Sequence, residues 1–180
     1  MIYYAGIGSR ETPETVKPLI EKLVYLCNSK GFILRSGAAP GADTFFEEYS
    51  MPHLREIYLP WRGFNGNDSP LFEVSQEALE FTSRFHPAWN KLGRGARSLM
   101  ARNSYQVLGQ DLKTPCNFII CWTKDGKAIG GTRQAIVIAE SLNIPVYNLA
   151  KTEDVIKLMH KFEDFSLSEF LSENSPYKLF

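Results

Sequence analysis

The chain is poor in the residues that most readily announce chemistry: among its 180 residues are three cysteines, three histidines and four methionines. Cys27, Cys116 and Cys121 are odd in number, lack Cys-x-x-Cys spacing and each falls in an apolar segment. They read as reduced core thiols of a cytoplasmic protein rather than as a disulfide framework. His53, His86 and His160 have no metal-ligand spacing with one another or with the cysteines, so no metal and no cofactor is expected. Charge of one sign is also missing. Lys plus Arg and Asp plus Glu number 20 each, which gives no bulk support for general nucleic-acid binding, although Arg94, Arg97 and Arg102 supply a local basic edge. No apolar run approaches the roughly 20 residues that span a bilayer. No basic segment precedes an apolar stretch with a small-residue cleavage site, so no signal peptide is expected. No Gly-Lys-Ser/Thr closes a glycine turn, which removes the P-loop, and neither Ser9 nor Ser36 lies in a Gly-x-Ser-x-Gly elbow.

What is present is an ordinary globular composition, 44% hydrophobic and 22% charged, in a length that suits one α/β domain. Short apolar runs at 2–7, 32–35, 56–59, 117–122 and 145–149 alternate with helical patterns. Val16, Leu19, Ile20, Leu23, Val24 and Leu26 follow helical spacing up to Gly31, which ends the helix. Ala42 to Tyr49 forms a short second helix. The 61–115 stretch is far longer than one crossover needs and reads as a helical insertion, with helices near 71–85 and 96–108. Another helix is expected over 154–161, and residues 162–180 read as a C-terminal extension that wraps the body or a partner subunit. Such alternation predicts a three-layer α/β/α domain over 1–180 with a mainly parallel sheet of about five strands. Tyr3, Ile33, Phe118 and Ile138 are assigned to its core.

Three stretches share a strand–glycine–helix grammar: Gly6-Ile7-Gly8-Ser9-Arg10, Ser36-Gly37-Ala38-Ala39-Pro40-Gly41-Ala42-Asp43, and Gly130-Gly131-Thr132. The first run is read as a strand that Gly6 and Gly8 break, before Thr12-Pro13-Glu14 opens a helix. A strand feeding a helix through such a turn leaves backbone N–H groups at the positive end of the helix dipole, where an anion binds. On a parallel sheet all three turns open on the same edge, where ligands of such sheets sit. Against the dinucleotide fingerprint the fit is partial. Gly6 and Gly8 match the first two glycines, but the third position is Glu11, and Arg35 and Ser36 stand where an acid would hold a ribose.

The three motifs together resemble the SLOG superfamily, a Rossmann-like group that includes the DNA-processing protein A family and the Lonely Guy nucleotide phosphoribohydrolases. The first two motifs are most similar to the DNA-processing family, with its Gly-Ser-Arg turn and Ser-Gly-x-Ala-x-Gly-x-Asp. Met100-Ala101-Arg102-Asn103 is similar to the Met-x-x-Arg-Lys helix of the Lonely Guy enzymes, with Asn103 in place of Lys. The chain also looks like uncharacterised phage and bacterial members. The resemblance covers roughly 1–150 and implies a Rossmann-like fold and a homodimer. It departs in one respect: the catalytic Glu of the Lonely Guy enzymes falls on Ala135.

The candidate ligand residues are Gly6, Gly8, Ser9, Arg10, Ser36, Gly37, Gly41, Ala42 and Asp43 from the first two motifs. Trp61 after the third strand, with Phe64, offers a face for stacking on a base. Arg102 and Arg10 offer guanidinium forks for phosphate, with Asn103 and Gln106 beside Arg102. Trp122 and Thr123 end the fourth strand, and Gly130, Gly131, Thr132 and Gln134 follow, with Thr132 expected as an N-cap. Asp43 and Glu47, one helical turn apart, are candidate acid, base or ribose ligands, with Arg102 as the third catalytic candidate. Three functions follow: capture of a phosphorylated nucleotide or nucleotide-derived ligand; cleavage of an N-glycosidic bond in a nucleoside monophosphate; and, implied by the DNA-processing resemblance, single-stranded DNA binding in recombination.

Overall fold

The computed structural model describes residues 1–162. Five strands, β1 Tyr3–Gly8, β2 Ile33–Ser36, β3 Arg55–Ile57, β4 Phe118–Trp122 and β5 Val146–Asn148, form one all-parallel sheet in the order β3-β2-β1-β4-β5. The chain winds outward from β1 in one direction to β3, then crosses back to β4 on the other side. The winding therefore reverses between β1 and β4, which opens a crevice at their carboxyl ends.

Among the described residues six α-helices complete the layers: α1 Lys17–Ser29, α2 Ala42–Tyr49, α3 Gln76–Ser83, α4 Arg94–Leu108, α5 Gly130–Ser141 and α6 Thr152–Lys161. Side chains alternate across each strand with period two. Tyr4, Phe118 and Ile120 face Leu19, Ile20 and Leu23 of α1, Phe46 of α2 and Leu158 of α6. Ala5, Ile7, Ile119 and Cys121 face Val107 and Leu108 of α4 and Ile138 of α5. Phe118 and Ile138 are core, as expected. Tyr3 and Ile33 are only half-buried, because both lie at the amino-terminal entry to the sheet; the Tyr3 ring carries the Arg35 guanidinium 3.8 Å from its centroid.

The first glycines do not break β1. Gly6 pairs with Ile120 and Gly8 with Trp122, so the strand runs through both. Gly6 belongs inside because a Cβ there would stand 2.5 Å from the Phe46 ring, and its absence lets α2 close on the sheet. A single 3₁₀ turn, Glu14–Val16, precedes α1. Gly31, at φ 68°, lies just past the end of α1, as a left-handed stop should. The helix expected over 71–85 shortens to α3: Leu71 is pinned in extended form by its carbonyl accepting from Leu59 N–H at 2.7 Å, and Ser75 caps Ala78 N–H at 3.1 Å. Thr132 is not an N-cap, since α5 already begins at Gly130, after Ile129.

The 61–115 stretch carries α3 and α4. α4 is the crossover that returns the chain from β3 to β4, and it packs on α3, α5, β1 and β2. Of the expected extension, Phe162 is buried against Phe32 and Phe118; residues 163–180 lie outside the described region.

Candidate functional site

A cavity of about 400 Å³ opens in the crevice at the carboxyl ends of β1 and β4. All three glycine turns reach it. The first contributes Gly8, Ser9, Arg10 and Glu11; the second Ala39 and Asp43; the third Gly130, Gly131 and Thr132. One wall is α4, through Leu99, Met100, Arg102, Asn103 and Gln106, and Thr123 and Lys124 line it just after β4.

The turns differ in what they leave for a guest. Within the first two, three of the amides already have acceptors. Gly8 N–H donates to Asp43 Oδ1 at 3.1 Å, Ser9 N–H to Trp122 O at 2.9 Å and Ala42 N–H to Ser9 O at 3.3 Å. Asp43 sits in the first turn of α2, so its own carboxylate occupies the positive end of that helix. The third turn is different. α5 starts with Gly130 and Gly131 on the cavity and has no side-chain cap, and the first N–H groups of a helix have no intrahelical acceptor.

Asp43 is also the centre of a buried network. Its Oδ2 accepts from Gln106 Nε2 at 3.2 Å and from Arg102 Nη1 at 3.4 Å, and the same Nη1 donates to Gly37 O at 2.7 Å. Asp43 is 3% exposed and Arg102 4%. Burial pushes the Asp43 carboxyl above its ordinary value, against the pull of Arg102 and the donors from Gly8 and Gln106. Burial likewise lowers Arg102, Asp43 raises it, and the nearby Arg10 charge lowers it again. Arg102 Nε is buried without a hydrogen-bond partner. Gly37 must be a glycine here: a Cβ would fall 1.3 Å from Arg102 Nη1 and 2.6 Å from Gln106 Nε2.

Other candidates hold the frame. Ser36 Oγ donates to Gly6 O at 2.6 Å and is fully buried, which ties β2 to β1. Gly41, at φ 84°, precedes α2 and sets Ala42 against Ser9. Asn103 Nδ2 donates to Gly131 O at 3.1 Å and holds the start of α5 to α4. Thr123 Oγ1 accepts from Asn148 Nδ2 at 2.6 Å. Trp122 is half-buried and packs on the α1–α2 side of the sheet. Gln134 is buried and donates to Thr82 O at 3.1 Å, between α5 and α3.

Gly6, Ser36, Gly37, Gly41, Ala42, Trp122 and Gln134 do not line the cavity, and two further candidates, Glu47 and Trp61, border other hollows. Glu47 accepts from Asn67 Nδ2 at 2.7 Å and borders a different hollow with Glu48 and Arg55. One turn along α2 from Asp43 is about 6 Å further from the sheet edge. Trp61 lies in a separate groove with Arg62, Phe72 and Arg94, its ring edge-on to Phe64 at 5.1 Å. Conversely, Glu11, Lys124 and Ile129 line the cavity without having been singled out as ligand residues. Glu11 directly follows the first turn and Ile129 directly precedes the third, which is a signal in the sequence; Lys124, two residues past β4, has none of that kind. Among the described residues no cluster of His, Cys, Asp and Glu could hold a metal, and no helix is long and apolar enough to cross a membrane.

No family model matches the chain, and no curated protein matches it. Among solved structures it is similar to DNA processing protein A from Helicobacter pylori, described for its single-stranded DNA binding mode. The two are 16% identical, with 94% of this chain and 78% of that one covered and a TM-score of 0.55. At that identity the likeness concerns the backbone, and the conclusion is one of architecture: the chain has the Rossmann-like α/β fold of DNA processing protein A.

Proposed function

We propose that the cavity binds a phosphorylated nucleotide without turning it over. The observation that carries this reading is Arg102. It is a guanidinium on the cavity wall, almost fully buried, with Nε unpartnered and the Arg10 charge close enough to oppose its own. Two arginines lining one cavity with the uncapped first turn of α5 favour a dianion there. Leu99, Met100 and Ile129 give the same cavity an apolar part suited to a base. Hydrolysis finds less support. Both Asp43 oxygens already accept hydrogen bonds, Glu47 is elsewhere, and Ala135 stands in the wall where the Lonely Guy enzymes carry Glu.

The test is isothermal titration of the full chain with 5′-ribonucleoside monophosphates and with inorganic phosphate. Saturable binding is expected, weakened roughly 10- to 100-fold by Arg10→Ala, the loss of one charge-assisted contact. Absence of binding by all of them at millimolar concentration refutes the proposal. Chromatography of the same mixtures should detect no free base; base release would replace binding alone with turnover.

A second reading, single-stranded DNA binding, is favoured by the shared fold and by Trp61, which is 44% exposed beside Arg62 and Arg94. Stacking on Trp61 with phosphates on the arginines would give affinity that falls steeply with salt. Failure of an oligothymidylate to bind at low salt removes it.

A further inference from the structure

We infer that Glu11 reads the sugar of the bound nucleotide, its carboxylate accepting from the ribose 2′- and 3′-hydroxyls, so that the cavity takes ribonucleotides in preference to deoxyribonucleotides. The inference rests on the nucleotide reading above and names the substrate class within it.

Two acidic residues line the cavity, Asp43 and Glu11. Asp43 is saturated by Gly8, Arg102 and Gln106. Glu11 is exposed, and among the described residues its side chain has no hydrogen bond or ion pair, although Arg10 and Lys124 line the same cavity. Its main chain is fixed, with Glu11 N–H donating to Ser9 Oγ at 3.0 Å and Thr12 anchored to Ser9 O at 2.6 Å. The side chain thus starts from a hydrogen-bonded stretch of backbone in the cavity wall.

An ionised carboxylate only accepts, and it repels phosphate, so it must meet a donor-bearing part of an anionic ligand. A ribose offers two adjacent hydroxyl donors that one carboxylate can grip together. In dinucleotide-binding sheets that contact comes from an acid after the second strand. Here the position is closed to it. Arg35 donates to Glu56 Oε2 at 2.7 Å and Thr114 O at 2.6 Å, and Ser36 is tied to Gly6. Glu11 instead occupies the third place of the glycine fingerprint, where a glycine would bring no acceptor at all. The substitution that spoils the motif supplies the missing carboxylate from the β1 side of the crevice.

The experiment is isothermal titration of the full chain, wild type, Glu11→Gln and Glu11→Ala, with AMP, GMP, CMP and UMP and their 2′-deoxy counterparts. Because the side chain has no internal partner, both variants should melt with the wild type. Expected is at least a tenfold preference for the ribose form whichever base is bound. Glu11→Ala should abolish it by weakening the ribonucleotide alone, and Glu11→Gln should keep part of it. Equal affinity for the two sugars in the wild type, or a preference that survives Glu11→Ala, overturns the inference and leaves the nucleotide site standing. Binding that discriminates bases but ignores the sugar overturns it too, by assigning Glu11 to the base edge. If none of the eight compounds binds, the reading of the cavity falls and the inference with it.

Discussion

Replacing Asp43 with Ala takes the acceptor from three donors at once: Gly8 N–H at 3.1 Å, Gln106 Nε2 at 3.2 Å and Arg102 Nη1 at 3.4 Å. Arg102 is left 4% exposed with Gly37 O and no counter-charge. Removing one member of a buried ion pair costs about 3–5 kcal/mol, most of it the penalty of the stranded charge. For a chain of this size that lowers the melting midpoint by roughly 6–20 °C. Most of the penalty should therefore vanish when the stranded charge is also removed. Arg102→Met keeps an unbranched stem of similar reach, and the double variant Asp43→Ala/Arg102→Met should recover at least half of the loss. Urea denaturation monitored by circular dichroism on the wild type, both singles and the double closes the cycle. The reasoning fails if Asp43→Ala loses less than about 1 kcal/mol, within the range of an exposed pair, or if the double is no better than the Asp43 single.

Three further outcomes are expected. Gly37→Ala should behave like a loss of Arg102, since the new Cβ would stand 1.3 Å from Nη1 and the guanidinium must leave; calorimetry should give a destabilisation of similar size, non-additive with Arg102→Met. The stability difference between wild type and Asp43→Asn should narrow as pH rises from about 4. A carboxyl whose folded value is raised lends stability below its ordinary value of 3.8 and loses it as pH climbs through the folded value, whereas Asn cannot titrate; melting curves from pH 4 to 7 read the sign. Cys27, Cys116 and Cys121, each pushed by burial up to about 12, should resist a thiol reagent at pH 8 in the native protein, and all three should react in denaturant.

The sheet was legible because its signals are local and repeat. Apolar runs of strand length alternate with helical spacing, and Gly31 and Gly109 end α1 and α4 where their positive φ requires. The meeting of the three turns was legible for the same reason, because parallel strands put all their carboxyl ends on one edge. Partners set by packing were not. That Glu47 borders another hollow while Asp43 stays depends on Asn67 reaching it from the loop after β3. That Trp61 falls in its own groove depends on how α4 meets that loop, where a Cβ added at Gly95 would stand 3.9 Å from the ring. Neither is written in spacing along one segment.

The turns also differ in a way that motif spelling hides. A glycine turn followed by a helix reads as an anion holder wherever it occurs, yet the second one carries its own anion. With Asp43 in the first turn of α2, the protein fills the positive end of that helix and the Gly8 amide itself, and ties both to α4 through Arg102. The first two turns are thus tied to each other through Gly8, Ser9 and Ala42. What remains for a ligand is the uncapped start of α5, with Arg102, Arg10 and Glu11 lining the same cavity. On the proposed reading a nucleotide would lie with its phosphate toward the arginines and the head of α5 and its sugar toward Glu11. An inorganic phosphate should accordingly compete with a nucleotide in wild type and in Glu11→Ala alike, since the residue that reads the sugar takes no part in holding the phosphate.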